Sequence, residues 1–455
     1  MSKTKNILCL FDYGKKVNTG YSRQSTEIVK SVKKQFGENI RLDIIASGYV
    51  PEEIHQMCKE GMPEEYIYSL DKPFENITTY YKESENCTVY SAVYHEGLAY
   101  RPEYPNCFLP YKIRGVFGQH LFVEMLELNP AYNYDGIFIL QDIGVVLPII
   151  EELKRIKLSL KEKGKKQFKS VFYFPIDGEY PAITYPDSLL FFDKLITYTE
   201  FARKEIISKN PVFKGKLSVI PHGISIKDFF RAAPEKVESF RNDYFGTNSN
   251  KFIVGVINRN QFRKDMPTAI FSFYEVWKEN KNLFLYLHCY PKDPLGWDLR
   301  RVLLQTDMKE GIDYSFPKKD IMDIPVIELN MIYNSIDVYL STSLGEGFGL
   351  TAIECFATQT LTILPDNTAY SELIRERNEN FRCLYYEMGY SVACIQDNVI
   401  RKQGYINEIV DLINYSSFSY MKNDFSSLVK KAYNFVQTLS WINIGKLWVD
   451  IFKTY

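Results

Sequence analysis

The chain has 455 residues, more than one hydrophobic core usually organises, so two domains are the expected arrangement. Hydrophobic residues make up 45% and charged residues 24%, which is an ordinary globular composition. The formal net charge of -1 excludes a protein that is basic throughout, so contact with nucleic acid or lipid would need a local patch.

The cysteines and the apolar runs predict the compartment of the chain. The eight cysteines are scattered, without a CxxC pair or a Cys/His cluster, as expected of free thiols in a reducing compartment. The N-terminal run NILCLF is too short for a signal peptide, and no run is long enough to span a membrane. We therefore expect a cytoplasmic protein, with a peripheral position at the inner membrane face left open.

The first half of the chain has the pattern of an α/β domain. NILCLF predicts a buried strand, and Ile28, Val32 and Phe36 share one face of the helix predicted after it. RLDIIA is the next strand, so the chain begins with a βαβ unit and a parallel sheet. A stretch rich in Tyr and Pro, 49–133, is predicted to be irregular. Four short apolar runs complete the domain: YDGIFIL, SVFYF, KLITYT and KLSVIP.

The second half restarts this pattern after a polar, strand-poor segment, 221–250, which predicts a linker. The predicted strands are KFIVGVI, LFLYLHCY, DVYLS and LTILP, and the predicted helices are PTAIFSFYEVWKEN, GWDLRRVLLQT and LTAIECFAT. We predict two doubly wound α/β domains, 1–225 and 226–425, followed by one or two amphipathic helices in 426–455. Ligands of such sheets bind in the cleft at the carboxyl ends of the strands.

One loop of the second half combines three glycines with two acids. In STSLGEGFGLTAIECF, the loop follows the strand DVYLS and precedes the helix LTAIECF. Glycines let a ligand approach the backbone, and the free amides at a helix start favour anionic or hydroxyl oxygens. Glu346 in the loop and Glu354 in the second helical turn can both accept hydrogen bonds from sugar hydroxyls. The structural alternative is a glycine turn with an exposed Glu346 and a structurally paired Glu354.

A second loop concentrates positive charge at the carboxyl end of a strand. GVINRNQFRKDMP follows the strand KFIV and brings Arg259, Arg263 and Lys264 to this edge of the sheet. Three cations that face a cleft suit the charge and geometry of a diphosphate. A solvated basic loop is the structural alternative.

Five segments together resemble the GT4 family of retaining glycosyltransferases, which have the GT-B fold of two Rossmann-like domains. GEGFGLTAIE resembles the E-x7-E motif of the family, and NRNQFRK resembles its Arg-x4-Lys phosphate motif. The other three segments, in the family's order, are VIPHGI, MIYNSIDVYLSTS and TLSWINIGKLW. The resemblance covers most of the second domain and parts of the first. It implies a cleft between the domains and a C-terminal helix that crosses back to the first domain.

The resemblance also implies roles for individual residues. Arg259 and Lys264, with Arg263 beside them, would hold the diphosphate of a UDP-, GDP- or similar sugar. Glu354 would bind the ribose hydroxyls, and Glu346 would hold the donor sugar. The further donor-binding residues are Gly20, Gly347, Phe348, Gly349 and Leu350. Because fixed cations and helix N-termini can offset the charge of a departing diphosphate, we expect neither a metal nor a cofactor.

Asp177 stands where the family often has a histidine, in the loop PIDGEY after the strand SVFYF. It is available to orient the acceptor hydroxyl or to contact the sugar, so we predict it to be catalytic together with Glu346, Arg259 and Lys264. The structural alternative is an Asx turn before Gly178. Retaining transfer needs no separate base if the leaving phosphate takes the acceptor proton.

The acceptor is left open between two classes. A glycan or lipid-linked acceptor is the first, because the basic run 153–169 has interleaved Leu and Phe and suits an anionic membrane. A modified nucleic-acid base is the second, because the same run suits phosphates. A solvated helix end is the structural alternative for this run. A non-catalytic nucleotide-sugar-binding module is the alternative to an enzyme, and no obligate protein partner is inferred.

Overall fold

The computed structural model describes residues 4–14, 19–47, 80–91, 117–128, 134–179, 185–321, 324–375, 381–394, 399–419 and 425–455. Most of the stretch predicted to be irregular, 49–133, lies outside these residues. The parts of that stretch that are described form two strands and one helix, so it is not irregular throughout.

A parallel sheet organises the first domain, as predicted. Its strands are β1 (Lys5–Phe11), β2 (Ile40–Ala46), β3 (Tyr80–Ser84), β4 (Cys87–Ser91), β5 (Gly136–Leu140), β6 (Lys169–Phe174), β7 (Lys194–Thr197) and β8 (Leu217–Val219). Its helices are α1 (Gly20–Phe36), α2 (Gln119–Leu128), α3 (Ile143–Val146), α4 (Ile150–Glu162) and α5 (Glu200–Lys209). The strand order is β3-β4-β2-β1-β5-β6-β7-β8, and only the edge pair of β3 and β4 is antiparallel among the described strands. The βαβ unit at the start of the chain is therefore confirmed.

A second parallel sheet organises the next part of the chain. Its strands are β9 (Phe252–Ile257), β10 (Leu283–His288), β11 (Tyr314–Ser315), β12 (Val338–Leu340), β13 (Leu361–Pro365) and β14 (Leu384–Tyr386), in the order β11-β10-β9-β12-β13-β14. The helices around it are α6 (Pro234–Phe245), α7 (Met266–Glu279), α8 (Leu299–Leu303), α9 (Val326–Ser335), α10 (Leu350–Ala357) and α11 (Thr368–Ile374). The predicted arrangement of two Rossmann-like domains is therefore confirmed, while the boundaries at 225/226 and 425/426 stay predictions.

The segment predicted to be a linker contains helix α6, which is bonded to the second domain. Pro234 occupies the first helical turn, where an N–H group would lack a helical partner in any case. Arg241 donates to the carbonyl oxygen of Ser249 at 2.6 Å, and its ion pair with Asp337 measures 2.8 Å. The polar residues that suggested a linker therefore include one that forms a hydrogen bond and an ion pair, and these hold the helix in place.

The remaining elements are a hairpin and three helices. They are β15 (Met388–Cys394), β16 (Val399–Gly404), α12 (Ile406–Ser419), α13 (Ser426–Thr438) and α14 (Trp441–Lys453). The antiparallel hairpin of β15 and β16 was not predicted, because its side chains are mostly polar or half-buried and lack an apolar alternation. The C-terminal tail, for which one or two helices were predicted, forms two.

Helix α14 crosses back onto the first domain, as predicted. The Lys5 ammonium donates to the carbonyl oxygen of Lys453 at 2.9 Å, and the Tyr455 hydroxyl donates to the carbonyl oxygen of Ile137 at 2.9 Å. Trp448 is fully buried, with its ring centroid 5.3 Å from that of Phe138. The end of the chain therefore contributes to the core of the domain that begins it.

The burial of Trp448 predicts a large effect on stability. We expect Trp448→Ala to lower the free energy of unfolding by about 3–5 kcal/mol, because a fully buried ring is replaced by a cavity. Leu447 on the same helix is 43% exposed, so Leu447→Ala is the matched control and should change stability by less than about 0.5 kcal/mol. Urea unfolding of both variants checks this, and equal midpoints would contradict the docking of α14.

The basic run 153–169 uses most of its apolar side chains inside the first domain. Leu153, Ile156 and Phe168 are buried, whereas Leu158 is 58% exposed. This arrangement favours a solvated helix end, and contact of the run with a membrane or with nucleic acid stays a prediction. Within the described part of the chain, no helix has the length and apolar character needed to cross a membrane.

Candidate active site

The candidate site lies where loops at the carboxyl ends of strands in the two sheets meet. The loop between β12 and α10 carries the glycines, and the first residue of α10, Leu350, faces the first residue of α1, Gly20. A side chain on Gly20 would begin 3.1 Å from a Leu350 methyl group. Thr19 and Ser22 start α1 with a reciprocal pair of hydrogen bonds between side chain and backbone. Two helix N-termini therefore face each other across the cleft.

Two glycines of the loop are required by its geometry. Gly349 has a φ of +88°, in the left-handed region that other residues rarely adopt. A Cβ atom on Gly345 would lie 2.0 Å from the carbonyl oxygen of Asp177, so only glycine allows this approach of the two domains. Within the described residues, no side chain caps the start of α10. Its first amides are therefore suited to an anionic or hydroxyl ligand.

Glu346 is buried among hydrogen-bond donors of its own domain. Its carboxylate bonds to the Lys264 ammonium, accepts from the Ser343 hydroxyl at 2.8 Å and lies 3.5 Å from the Arg263 guanidinium. Burial alone would raise the pKa of Glu346, but Lys264 and Arg263 hold it below its ordinary value. The carboxylate is therefore ionised at neutral pH, and the predicted alternative of an exposed Glu346 is wrong because only 6% of the residue is exposed.

Lys264 and Arg263 are the cations that contact Glu346. Burial lowers the pKa of Lys264 from 10.5 to about 8, and Glu346 opposes this shift. Burial would also lower the pKa of Arg263, but the carboxylates of Glu346 and Asp177 outweigh it and raise the value. Both side chains therefore carry positive charge at neutral pH, and Lys264 is buried at the cleft whereas Arg263 is partly exposed.

Arg259 has a different partner from the other two cations. Its guanidinium pairs with the buried carboxylate of Asp293 at 2.9 Å, and its side chain is 57% exposed. The phosphate-binding role that the resemblance implies for Arg259 stays a prediction. Filling that role would require Arg259 to share or exchange its bond to Asp293.

Asp177 lies between two arginines of the second domain. Its carboxylate is 3.3 Å from Arg263 and accepts a hydrogen bond from Arg401 at 3.1 Å, while its carbonyl oxygen accepts another from Arg401 at 2.6 Å. Arg401 was missed in the sequence, because it lies on the unpredicted hairpin, 224 positions from Asp177, outside every motif. The two domains are therefore joined by ion pairs at the candidate site.

Glu354 is likewise paired across the cleft. It accepts hydrogen bonds from Arg23 of α1 and from the Tyr333 hydroxyl, each at 2.5 Å. Sequence reasoning singled out neither partner, although Arg23 lies three positions after the predicted Gly20. The alternative of a structurally paired Glu354 thus describes a contact that the structure contains, and the ribose role stays a prediction.

His222 lies beneath the glycine loop in a neutral state. Its Nδ1 atom is 2.7 Å from the Tyr173 hydroxyl, and its ring centroid is 5.1 Å from that of Phe348. Burial lowers the pKa of His222 to about 3, so it is uncharged at neutral pH. These contacts give His222 a packing role under the residue that follows Gly347.

The chain is distantly similar to known proteins in sequence and in fold. No family model matches the chain. Over 165 residues it is 23% identical to an alpha-monoglucosyldiacylglycerol synthase of Acholeplasma laidlawii, a match that covers 36% of this chain and only 39% of that relative. Over 362 residues it is 23% identical to a probable sucrose-phosphate synthase of Thermosipho melanesiensis, covering 73% and 80% of the two chains.

Among solved structures, Anabaena HepE in complex with UDP-glucose is similar in fold. The TM-score is 0.60 at 11% identity, and the match covers 99% of this chain and all of the other. These relatives and structures are GT-B glycosyltransferases, so the predicted fold is confirmed, and so is the predicted class of enzyme, a glycosyltransferase. Membership of GT4 and retention of configuration stay predictions.

Proposed function

We propose that this chain transfers a sugar from a nucleoside diphosphate sugar to an acceptor hydroxyl, with retention and without a metal. The observation that carries the proposal is the ion-paired group of buried Lys264 and Glu346 with partly buried Arg263 and Asp177, which lies between two facing helix N-termini. Charged side chains are rarely buried together unless they are paired, and such groups are typical of functional sites. HepE, which binds UDP-glucose, supports a nucleotide-sugar donor for the same fold.

In this proposal the donor diphosphate exchanges with carboxylates that now neutralise the cations. Lys264 and Arg263 turn from Glu346 and Asp177 toward the phosphate oxygens, and Arg259 joins them from the edge of the site. A phosphate accepts more hydrogen bonds than a carboxylate and is well matched to a guanidinium fork. As the bond to the sugar breaks, these cations stabilise the charge that develops on the leaving diphosphate.

The donor sugar occupies the space at the start of α10. The amides of Gly347, Phe348, Gly349 and Leu350 bind the oxygens of the donor, as the resemblance implies. Glu346 faces the transferring sugar, where positive charge develops during transfer, and a fixed carboxylate there stabilises the transition state. Retention follows if the acceptor attacks from the face that the leaving diphosphate vacates.

Glu354 and Asp177 have the two remaining roles. Glu354 accepts hydrogen bonds from the ribose hydroxyls, sharing its carboxylate with Arg23 or exchanging that partner. Asp177 belongs to the first domain and orients the acceptor hydroxyl or contacts the sugar. The departing phosphate takes the acceptor proton, so this scheme requires no separate base.

A panel of nucleotide sugars tests the proposal. The purified chain is incubated with UDP- and GDP-sugars, and slow donor hydrolysis is followed by release of the nucleoside diphosphate, with and without EDTA. We expect hydrolysis of one donor class, unchanged by EDTA. Binding of a nucleotide sugar without any turnover, also in the presence of candidate acceptors, would instead identify a non-catalytic binding module.

The acceptor classes are separated by a second measurement. The glycan or lipid-linked acceptor and the modified base both stay predictions. Each implies a different binding partner for the basic run 153–169, an anionic membrane or nucleic acid. Vesicles with anionic or neutral lipids and duplex DNA are offered to the chain at low and moderate salt. Binding to anionic vesicles alone supports a lipid-linked acceptor, and binding to DNA alone supports a modified base.

A further inference from the structure

The hairpin of β15 and β16 delivers a buried arginine to the junction of the two domains. Arg401 on β16 pairs in register with Val392 on β15, and the arginine side chain is only 2% exposed. Two positions later, the Gln403 amide donates to Asp265 at 2.5 Å and to Thr268 at 2.7 Å. Because Asp265 and Thr268 lie at the start of α7, the hairpin is anchored directly beside Lys264.

Two glycines make room for the Arg401 guanidinium, one from each domain. A Cβ atom on Gly178 would lie 2.7 Å from its Nη1 atom, and one on Gly345 would lie 2.5 Å from the same atom. The guanidinium therefore fills a space that any other residue at these positions would invade. Two of its N–H groups donate to Asp177, one to the carbonyl oxygen and one to the carboxylate.

We propose that Arg401 is a positioning residue, which holds Asp177 and the loop around it in place for sugar transfer. The inference rests on the proposed function and extends it. Three cations and two carboxylates alternate along this junction, in the order Arg401, Asp177, Arg263, Glu346 and Lys264.

Because Asp177 lies between Arg401 and Arg263, Arg401 is the partner that Asp177 keeps when Arg263 turns to the donor. When a donor diphosphate draws Arg263 and Lys264 toward its oxygens, Asp177 loses the ion pair with Arg263. The Asp177 side chain is partly buried, with 26% of it exposed, and a carboxylate in such a place that loses one of two cation partners is freer to move. Arg401 lies on the other side of Asp177 and keeps this carboxylate paired and oriented in the donor-bound state.

The fork of the guanidinium matters as well as its charge. A lysine at this position would keep a positive charge, but its ammonium cannot span the carbonyl and the carboxylate in the same planar geometry. We therefore expect activity to decrease in the order wild type, Arg401→Lys, Arg401→Met. Displacement of a catalytic group by about 1 Å can reduce the rate about a hundredfold, so Arg401→Met should lower kcat by about ten- to hundredfold.

Kinetics and nucleotide binding of the full chain test this inference. Donor hydrolysis is measured for the wild type, Arg401→Met, Arg401→Lys, Asp177→Asn and the double variant Asp177→Asn/Arg401→Met, and UDP or GDP binding is measured by calorimetry. We expect the Kd of the nucleotide to change less than about threefold in Arg401→Met, because a positioning effect on transfer appears in kcat. If Arg401 acts through Asp177, the double variant should be scarcely slower than Asp177→Asn alone.

Lys402→Met is the matched control, because Lys402 is the exposed neighbour of Arg401 on the same strand. Its kinetics should equal those of the wild type. Wild-type rates in Arg401→Met, or independent losses that multiply in the double variant, would overturn the inference while leaving the proposed function intact. If Arg401→Met does not fold, the comparison rests on Arg401→Lys, and wild-type rates there count against it. Lack of turnover of every donor by the wild type would instead refute the proposed function.

Discussion

Glu346→Gln is expected to lower kcat by about a hundredfold or more while leaving donor affinity nearly unchanged. The amide has the same shape as the carboxylate, so it can keep the hydrogen bond from Ser343 but cannot offset positive charge on the transferring sugar. A donor diphosphate replaces Glu346 as the partner of Lys264, so the ground-state complex changes little. Steady-state kinetics with the donor identified by the panel measure kcat and KM separately.

Glu354→Gln is the matched comparison, because the two acids belong to one motif and are both buried. Ribose is held equally in the ground state and in the transition state, so this change should mainly raise KM. The pairing of Glu354 with Arg23 and Tyr333 makes a structural effect on folding the competing explanation, and thermal unfolding of the variant separates the two. The reverse kinetic pattern, or no loss in either variant, would remove the basis for assigning this loop to the active site.

Lys264→Ala is expected to lower kcat/KM by about a hundredfold or more. Removing one partner of a buried charged pair costs about 2–5 kcal/mol, and here the same ammonium serves the phosphates of the donor. Nucleotide binding by calorimetry should weaken together with the rate. Arg259→Ala is the informative companion, because Arg259 is largely exposed and already paired with Asp293. Near-normal kinetics in Lys264→Ala, together with loss of activity in EDTA, would contradict the phosphate assignment.

The lowered pKa of Lys264 adds a pH dependence with a definite sign. The charged ammonium binds phosphate, and its pKa in the free protein is about 8, so kcat/KM should fall as the pH rises through this value. Glu346, whose pKa lies below its ordinary value, stays ionised throughout and does not contribute to this decline. Lys264→Arg keeps its charge in this range, so the decline should move to higher pH. An unchanged alkaline limb in Lys264→Arg would assign the titration to another group.

The local parts of the site could be predicted because they depend on short-range patterns. A buried strand, a glycine-bracketed loop and a helix are encoded within a few residues, and they place Glu346 and Glu354 near one edge of a sheet. Lys264 and the other cations follow another strand of the same parallel sheet, so their position at that edge also follows from the order of elements. Two doubly wound α/β domains could be predicted for the same reason, because strands and helices alternate in both halves, whereas the GT-B fold was implied by the resemblance of five segments to a known family.

The partners of these charges could not be predicted, because they are selected by the packing of two domains. Arg23 and Glu354 are 331 positions apart, and no periodicity within either segment signals their contact. The arginine that reaches Glu346 is Arg263, whereas Arg259 pairs with Asp293, although both belong to one loop of similar charge.

Arg401 shows most clearly how much of the site depends on tertiary packing. It lies on a hairpin whose mostly polar residues resemble those of a surface loop. Its burial depends on two glycines from distant loops. Local sequence patterns sufficed for the central strands of the two large sheets, for the glycine loop and for the residue types of the site. Tertiary packing decided which cation neutralises which carboxylate, because a buried charge must be paired, and its partner is the oppositely charged group that the closed domains bring within hydrogen-bond distance.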